Sequence, residues 1–365
     1  MNGLPVVKER IVYIDAMRGF TMLLVVYSHI LYFGYGPLFM EHRTTFNDVF
    51  TIIYMPLFFF ISGFVLYRKI FECSFVNLFS ILMNKFKTLI IPTVFFSVVY
   101  LLLFGYAFVP MIVSETKGGY WFTIALFEFF IIYAGGNFFF QKLRLGEKWF
   151  DCFLILGALT AYVLSTPAFS VRFLGIDHDL VTALGITQWR FYLFFILGVL
   201  SRKYFVRFEK LLDNGRLMGL IIVSFFIVVL YYCHDGYEPT GPMYHLFFIF
   251  LGMSGIMVVF AFFRKYQSSF TKQTLVGRGF QSVGIRTLDI YLLHYFFLPR
   301  HLNLLGDYFS DNPVPVLEFF ISSGLTAMVV LVCLVMSHVI RISDVLGCCL
   351  LGVKRPVSGA TVINS

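Results

Sequence analysis

Long apolar runs decide what this chain can become. Ten can be drawn, near residues 11–33, 49–67, 88–109, 120–140, 151–167, 188–200, 217–233, 243–263, 283–300 and 316–340. A helix needs about 20 predominantly apolar residues to cross the hydrocarbon core of a bilayer. The expected fold is therefore all-α: a polytopic integral membrane protein of about ten transmembrane helices. Composition agrees, since 59% hydrophobic and only 13% charged residues is not the balance of a soluble domain.

A net charge of +8 would point to nucleic acid in a soluble chain, but here the basic residues sit in short connections between apolar runs. With the N-terminus inside, only Arg43, Lys117, Arg172, Arg190 and Arg300 fall on the outer side. Arg18 lies within the first span, and the rest of the 28 lysines and arginines are cytoplasmic. By the positive-inside rule both termini are cytoplasmic, the expected location is the cytoplasmic (inner) membrane, and no nucleic-acid partner is expected. The first span contains Arg18 and is too apolar for too long to read as a cleaved signal peptide.

No internal repeat, low-complexity tract or compositional break divides the chain. Residues 1–340 read as a single transmembrane domain and 341–365 as a cytoplasmic C-terminal tail, polar and mobile after Arg355. The span at 188–200 is short for a full crossing, so it is tilted, extended past Arg190, or shielded by neighbours. Residues 69–87 carry Ile70, Phe71, Phe75, Leu78, Phe79, Leu82 and Phe86 at helical spacing between lysines, which predicts an amphipathic helix on the cytoplasmic surface. Cysteines 73, 152, 233, 333, 348 and 349 have no spacing for a zinc site or a disulfide framework, and no metal is expected.

The first span holds Asp15, Arg18 and His29, which a lipid-facing helix excludes. Asp15 and Arg18 are one turn apart. Arg18 and His29 point within about 20° of each other and lie about 16 Å apart along the axis. A polar stripe inside a spanning helix faces a protein interior or a wet cavity, and so points to function. The structural alternative is a self-neutralised Asp15–Arg18 pair near the inner interface, with His29 at the outer headgroup level.

Further along, Met55-Pro56-Leu57-Phe58-Phe59-Phe60-Ile61-Ser62-Gly63-Phe64 puts a bend and a small-residue pair in the second span. Thr88-Leu89-Ile90-Ile91-Pro92 opens the third behind Lys85 and Lys87. Trp121 and Phe122 open the fourth at the outer interface, as an aromatic belt does. Glu128 sits about two turns deeper, where a carboxylate needs a partner. The ninth contains Thr287-Leu288-Asp289-Ile290-Tyr291-Leu292-Leu293-His294.

Taken in order, R-x4-D-x2-R-G with His29 ten residues beyond it, P-L-F-F-F-I-S-G-F, L-I-I-P, W-F, F-F-I-L-G at 194–198 and I-Y-L-L-H resemble integral membrane acyltransferase family 3 over about residues 10–340. The resemblance implies transfer of acetyl or another short acyl group from cytoplasmic acyl-CoA to a hydroxyl of a cell-envelope glycan or lipid-linked saccharide. Acyl-CoA, acetyl-CoA most commonly, would be a co-substrate, with no tightly bound cofactor. It places the family's first-helix aspartate, arginine and histidine on Asp15, Arg18 and His29, and its ninth-span histidine on His294. Lys85 and Lys87 stand where many members carry a spaced arginine pair, and lysine binds phosphate as a point charge rather than as a fork. Asp289 occupies a position the motif leaves free, which implies a structural role. No hydrolase-like domain follows the tenth span, so the chemistry is expected within the membrane or with a separate partner.

The expected roles follow. His29 is the general base, since its unperturbed pKa lies near working pH. Arg18, oriented by Asp15 and assisted by Lys85 and Lys87, holds the CoA phosphates. Glu128, His294 and Trp121 serve the acceptor side, or Glu128 and His294 fix the tautomer of His29, or His294 is a core histidine bonded to a backbone carbonyl. Direct transfer and an acyl-histidine are both open. His42, Glu41, Asp48, His178 and Asp177 are sugar contacts or simply solvated loop residues. The competing readings are a transporter or flippase whose charges line a substrate path, and a membrane scaffold or receptor subunit.

Overall fold

A computed structural model describes residues 11–36, 39, 45–67, 74–232 and 241–352. Lys8, Arg10, Glu41, His42, Arg43, Arg68, Lys69, Ile70, Phe71, Cys73, Cys233, Lys354, Arg355 and the tail beyond them lie outside the described residues.

The described chain is helical, with no strand among the described residues. In order, α1 is Val12–Gly34, α2 Thr45–Leu66 and α3 Phe75–Lys85. A π-helical turn at Phe86–Ile90 leads into α4, Ile91–Phe104. Then come α5 Trp121–Lys142, α6 Glu147–Leu164, α7 Tyr192–Lys203, α8 Phe205–Asp213, α9 Gly215–Tyr232 and α10 Gly241–Lys265. Further along are α11 Leu275–Ile285, α12 Thr287–Phe297, α13 Pro315–Ile342 and α14 Asp344–Leu351, and shorter helices occupy several of the connections. Among the described residues, 6 helices are long and apolar enough to cross a membrane, and a seventh is added if α8 and α9, bent by 77°, count as one span.

Three expectations change. The amphipathic segment and the third span are not separate: Phe75–Phe104 is one 30-residue helix. No glycine or proline interrupts it before Pro92, whose missing N–H and bulky ring conflict with the turn before it. The π turn absorbs that conflict, with the Ile91 N–H bonding back to the Phe86 carbonyl. The sixth span is α-helical for only 12 residues from Tyr192, entered through a 3-10 segment at Ile186–Phe191. The ninth span is no single helix from 283. Arg286, at φ −106 and ψ 23, ends α11 and precedes α12, whose 11 residues rise about 16 Å. The α8–α9 bend has a similar local cause: Asn214 is extended, and its side-chain oxygen accepts from the Leu217 N–H to cap α9.

Contacts divide the chain into two compact units. The first comprises residues 1–66, 198–287 and 298–330; the second comprises 67–197, 288–297 and 331–365. In the first, α1 packs against α11, α2 and α10, and glycines set the spacing. A Cβ on Gly19 would land on the Phe280 carbonyl, and one on Gly284 would land on the Asp15 carbonyl. This reciprocal contact lets two backbones touch where side chains would hold them apart. Gly198 of the F-F-I-L-G motif does the same against the Phe60 carbonyl of the second-span motif. In the second unit α3 and the π turn pack on α5, joined by a 2.7 Å bond between Thr93 and Thr123 across α4 and α5. Beyond 341, Ser343 caps α14 and Leu351 is buried.

Candidate active site

Within the first unit, α1 carries the charged stripe. Asp15 and Arg18 form an ion pair at 4.0 Å, the aspartate 13% and the arginine 33% exposed. His29 is half-buried and meets Phe33 edge-on at 5.9 Å. The Gly19–Gly284 crossing lies directly beside Arg18, so the turn holding the guanidinium is braced by a backbone-to-backbone contact. The far side of α1 is polar too. Tyr27 donates to the Glu318 carboxylate at 2.6 Å, Ser322 donates to the same oxygen at 3.3 Å, and Tyr35 and Ser322 share a bond at 2.8 Å. Glu318 is 1% exposed, so this cluster pins α1 to α13 and fixes its rotation.

The second unit holds the other candidates. Lys85 is half-buried with its ammonium 4.4 Å from the Phe130 ring, and Lys87 is exposed on the π turn. Trp121 stacks on Phe191 at 5.5 Å. Glu128 has the partner its depth requires, accepting from the Trp189 indole N–H at 2.9 Å. Lys117, which sequence reading treated as an outer-loop charge, is buried and donates to the carbonyls of Ile112, Thr182 and Ala183 at 2.9, 3.0 and 2.9 Å. Burial holds its ammonium below the usual lysine range, with Glu128 pulling the other way. It also opens a run of left-handed backbone: φ is 47 at Lys117, 63 at Gly118 and 97 at Gly119. A lysine in that conformation persists only where its surroundings over-determine it, and three carbonyls on one ammonium do so.

That loop grips α12. The hydroxyls of Tyr291 and Tyr295 both donate to the Gly119 carbonyl, at 2.7 and 3.0 Å, and Tyr120 donates to the Leu292 carbonyl at 3.2 Å. Between the two tyrosines His294 is fully buried, its Nδ1 3.0 Å from the Ile290 carbonyl and 2.8 Å from that of Tyr291. Only a protonated Nδ1 suits two carbonyls, which leaves the lone pair of the neutral ring on Nε2. Such a backbone bond is what a core histidine makes, and also what orients a base. Asp289 is built into the structure, accepting from Ser337 at 2.5 Å and from Arg341 at 2.9 and 2.7 Å.

Asp15, Arg18 and His29 thus share one unit and one helix, while Lys85, Lys87, Trp121, Glu128 and His294 belong to the other. Sequence reading missed Lys117, Trp189 and Glu318 as partners. Only Glu128 signalled that a partner existed, because a carboxylate at its depth must be satisfied.

A family model described as an acyltransferase domain matches residues 11–338. Compared with curated proteins and with solved structures, the chain has no match.

Proposed function

This chain belongs to acyltransferase family 3, and on that premise we propose that it is a membrane O-acyltransferase moving an acyl group, acetyl by the family's commonest habit, from cytoplasmic acyl-CoA to a hydroxyl of a cell-envelope saccharide. The observation that carries the reading is the α1 stripe: a half-buried Asp15–Arg18 pair and, on the same face, a half-buried histidine. We place the protein in the inner membrane with both termini cytoplasmic and ten crossings. The shorter apolar helices α7 and α12 are shielded from lipid by neighbours.

Arg18 holds the phosphates of the donor near the cytoplasmic mouth, Asp15 keeps the guanidinium aligned, and Lys85 and Lys87 draw the anion in. About 16 Å further along α1, the His29 imidazole takes the proton of the acceptor hydroxyl as its oxygen attacks the thioester carbonyl. The C–O bond forms, the C–S bond breaks, and the proton passes from the imidazolium to the departing CoA thiolate. Glu128, Trp121 and His294 serve the acceptor side.

The transporter alternative draws on the bent pair α8–α9, since broken spans line substrate paths in transporters. One experiment separates the two. Purified protein given acyl-CoA and a glycan releases free CoA thiol, and His29→Ala abolishes that release while the protein remains folded. A His29→Ala variant with full turnover would refute the assigned base; wild-type protein that releases no thiol while moving the glycan would favour transport.

A further inference from the structure

α5 is long and apolar enough to cross a membrane, and it ends at Lys142, so the turn that follows falls at the edge of the hydrocarbon. From Lys142 to Trp149 every residue is exposed, and none of the assigned roles uses them. Lys142, Arg144 and Lys148 are cations, and they outnumber the carboxylates Glu147 and Asp151. Leu143 and Leu145 alternate with them, and Trp149 is 68% exposed. The hairpin that carries these groups is braced. Phe140 of α5 packs 5.5 Å from Phe150 and 5.0 Å from Phe153 of α6, and a Cβ on Gly136 would come within 2.8 Å of the Phe153 ring.

Arg144 is the informative residue. The Arg144 N–H bonds to the Gln141 carbonyl at 3.0 Å and the Leu145 N–H to the Phe140 carbonyl at 3.0 Å, the paired bonds that close a helix C-terminus in a Schellman motif. That motif needs left-handed backbone at its turning residue, and φ at Arg144 is 54. Glycine takes this conformation without strain: α4 ends on Gly105 at φ 69 and α14 on Gly352 at φ 62. α5 instead places an arginine there and carries the strain, although Gly146 lies only two residues on. Strain retained at a fully exposed side chain points to something that the side chain does.

We propose that this turn binds the headgroup of an anionic phospholipid, with Lys142, Arg144 and Lys148 on phosphate and Trp149 against the glycerol backbone. A soluble acidic partner would satisfy the cations but leave the leucines and the indole in water. The boundary of a bilayer supplies both environments at once: tryptophan settles at headgroup depth, and lysine and arginine reach past it to the anionic surface. The proposal is independent of the acyl-transfer reading.

The test reconstitutes full-length protein in phosphatidylcholine vesicles with a minor fraction of chain-brominated lipid, either phosphatidylglycerol or phosphatidylcholine, and reads tryptophan fluorescence. The protein has 3 tryptophans, so the difference between wild type and Trp149→Phe isolates Trp149. Brominated phosphatidylglycerol quenches it at a lower fraction than brominated phosphatidylcholine, and added salt removes the difference. Arg144→Gly and Lys148→Gln each raise the phosphatidylglycerol required about fivefold, as about 1 kcal/mol per basic residue near an anionic surface implies. Arg144→Lys, which keeps the charge, changes it less. In neutral detergent without added lipid, Arg144→Gly unfolds no earlier than wild type, because glycine relieves the left-handed backbone. Equal quenching by the two lipids, or unchanged quenching in both charge variants, would overturn the proposal. Protection of Trp149 by soluble glycerol 1-phosphate would overturn it as well, by marking a site for free phosphate rather than for lipid. Earlier unfolding of Arg144→Gly would show that the arginine serves the turn rather than a headgroup, with the same consequence. Since no readout involves acyl transfer, loss of CoA release would not bear on it.

Discussion

Gly284→Ala tests the packing beneath the charged stripe. The new methyl carbon would fall on the Asp15 carbonyl, close also to the Gly19 amide nitrogen at 3.0 Å. Both obstacles are backbone, so no side chain can rotate away, and α11 must separate from α1. Overpacking of a well-fitted contact costs about 1–3 kcal/mol, and a rigid obstacle puts this site near the top of that range. Opening the crossing also moves the turn that carries Asp15 and Arg18, and a misplacement on the order of 1 Å in a catalytic group costs about a hundredfold in rate. Gly19→Ala meets the Phe280 carbonyl and should behave alike. The double variant should cost less than the sum, because one opening accommodates both methyl groups. The control is Gly324→Ala on α13, where an added Cβ meets nothing within 4 Å. Unfolding midpoints in detergent read stability, and CoA thiol release reads the site. If Gly284→Ala matches Gly324→Ala in both, the close crossing does not govern the stripe.

Other outcomes follow from the same geometry. Arg18→Lys should raise KM for acyl-CoA severalfold, more than Lys85→Ala does; equal small effects would remove Arg18 from the phosphate role. Lys117→Met leaves three carbonyls without their shared donor, at about 1–3 kcal/mol for each buried group left unsatisfied, and should lower the unfolding midpoint at neutral pH. Because the folded chain binds the Lys117 proton less tightly than the unfolded chain, wild-type stability should gain a rising component just below the ordinary lysine value of 10.5. Lys117→Met should flatten that component in midpoints measured against pH. Glu318→Ala and Tyr27→Phe each remove one partner of the same 2.6 Å bond, so a double-mutant cycle on unfolding should show coupling of about 1.5–3 kcal/mol.

The parts of the fold that composition controls were plain in the sequence. The run 120–140 became Trp121–Lys142, and 316–340 became Pro315–Ile342, because apolar length alone dictates a helix there. Where local backbone chemistry decides, the reading failed. Nothing in the residues around 86 announces a π turn until the conflict at Pro92 is weighed against the helix before it. Arg286 looks like one more cytoplasmic cation rather than the joint between α11 and α12. The stripe on α1 was legible because ionised groups stand out in an apolar run. The Gly19–Gly284 crossing was not, since its two halves lie far apart in the chain and each glycine alone reads as ordinary.

The π turn at Phe86–Ile90 has a consequence of its own. Such a turn is an α-helix carrying one surplus residue, so excising any single position from it lets the ladder close normally. The widened turn has already absorbed that surplus, so after the excision the helix upstream would keep nearly its present azimuth and height. Removing one residue from the regular turns of α4 just beyond the wide one would instead swing everything upstream by about 100° and shift it by about 1.5 Å, taking Lys85 off the Phe130 ring although no side chain it touches had been altered. The aim of this cationic arm is thus stored as a count of residues, and the wide turn is the place where that count can change without re-aiming it.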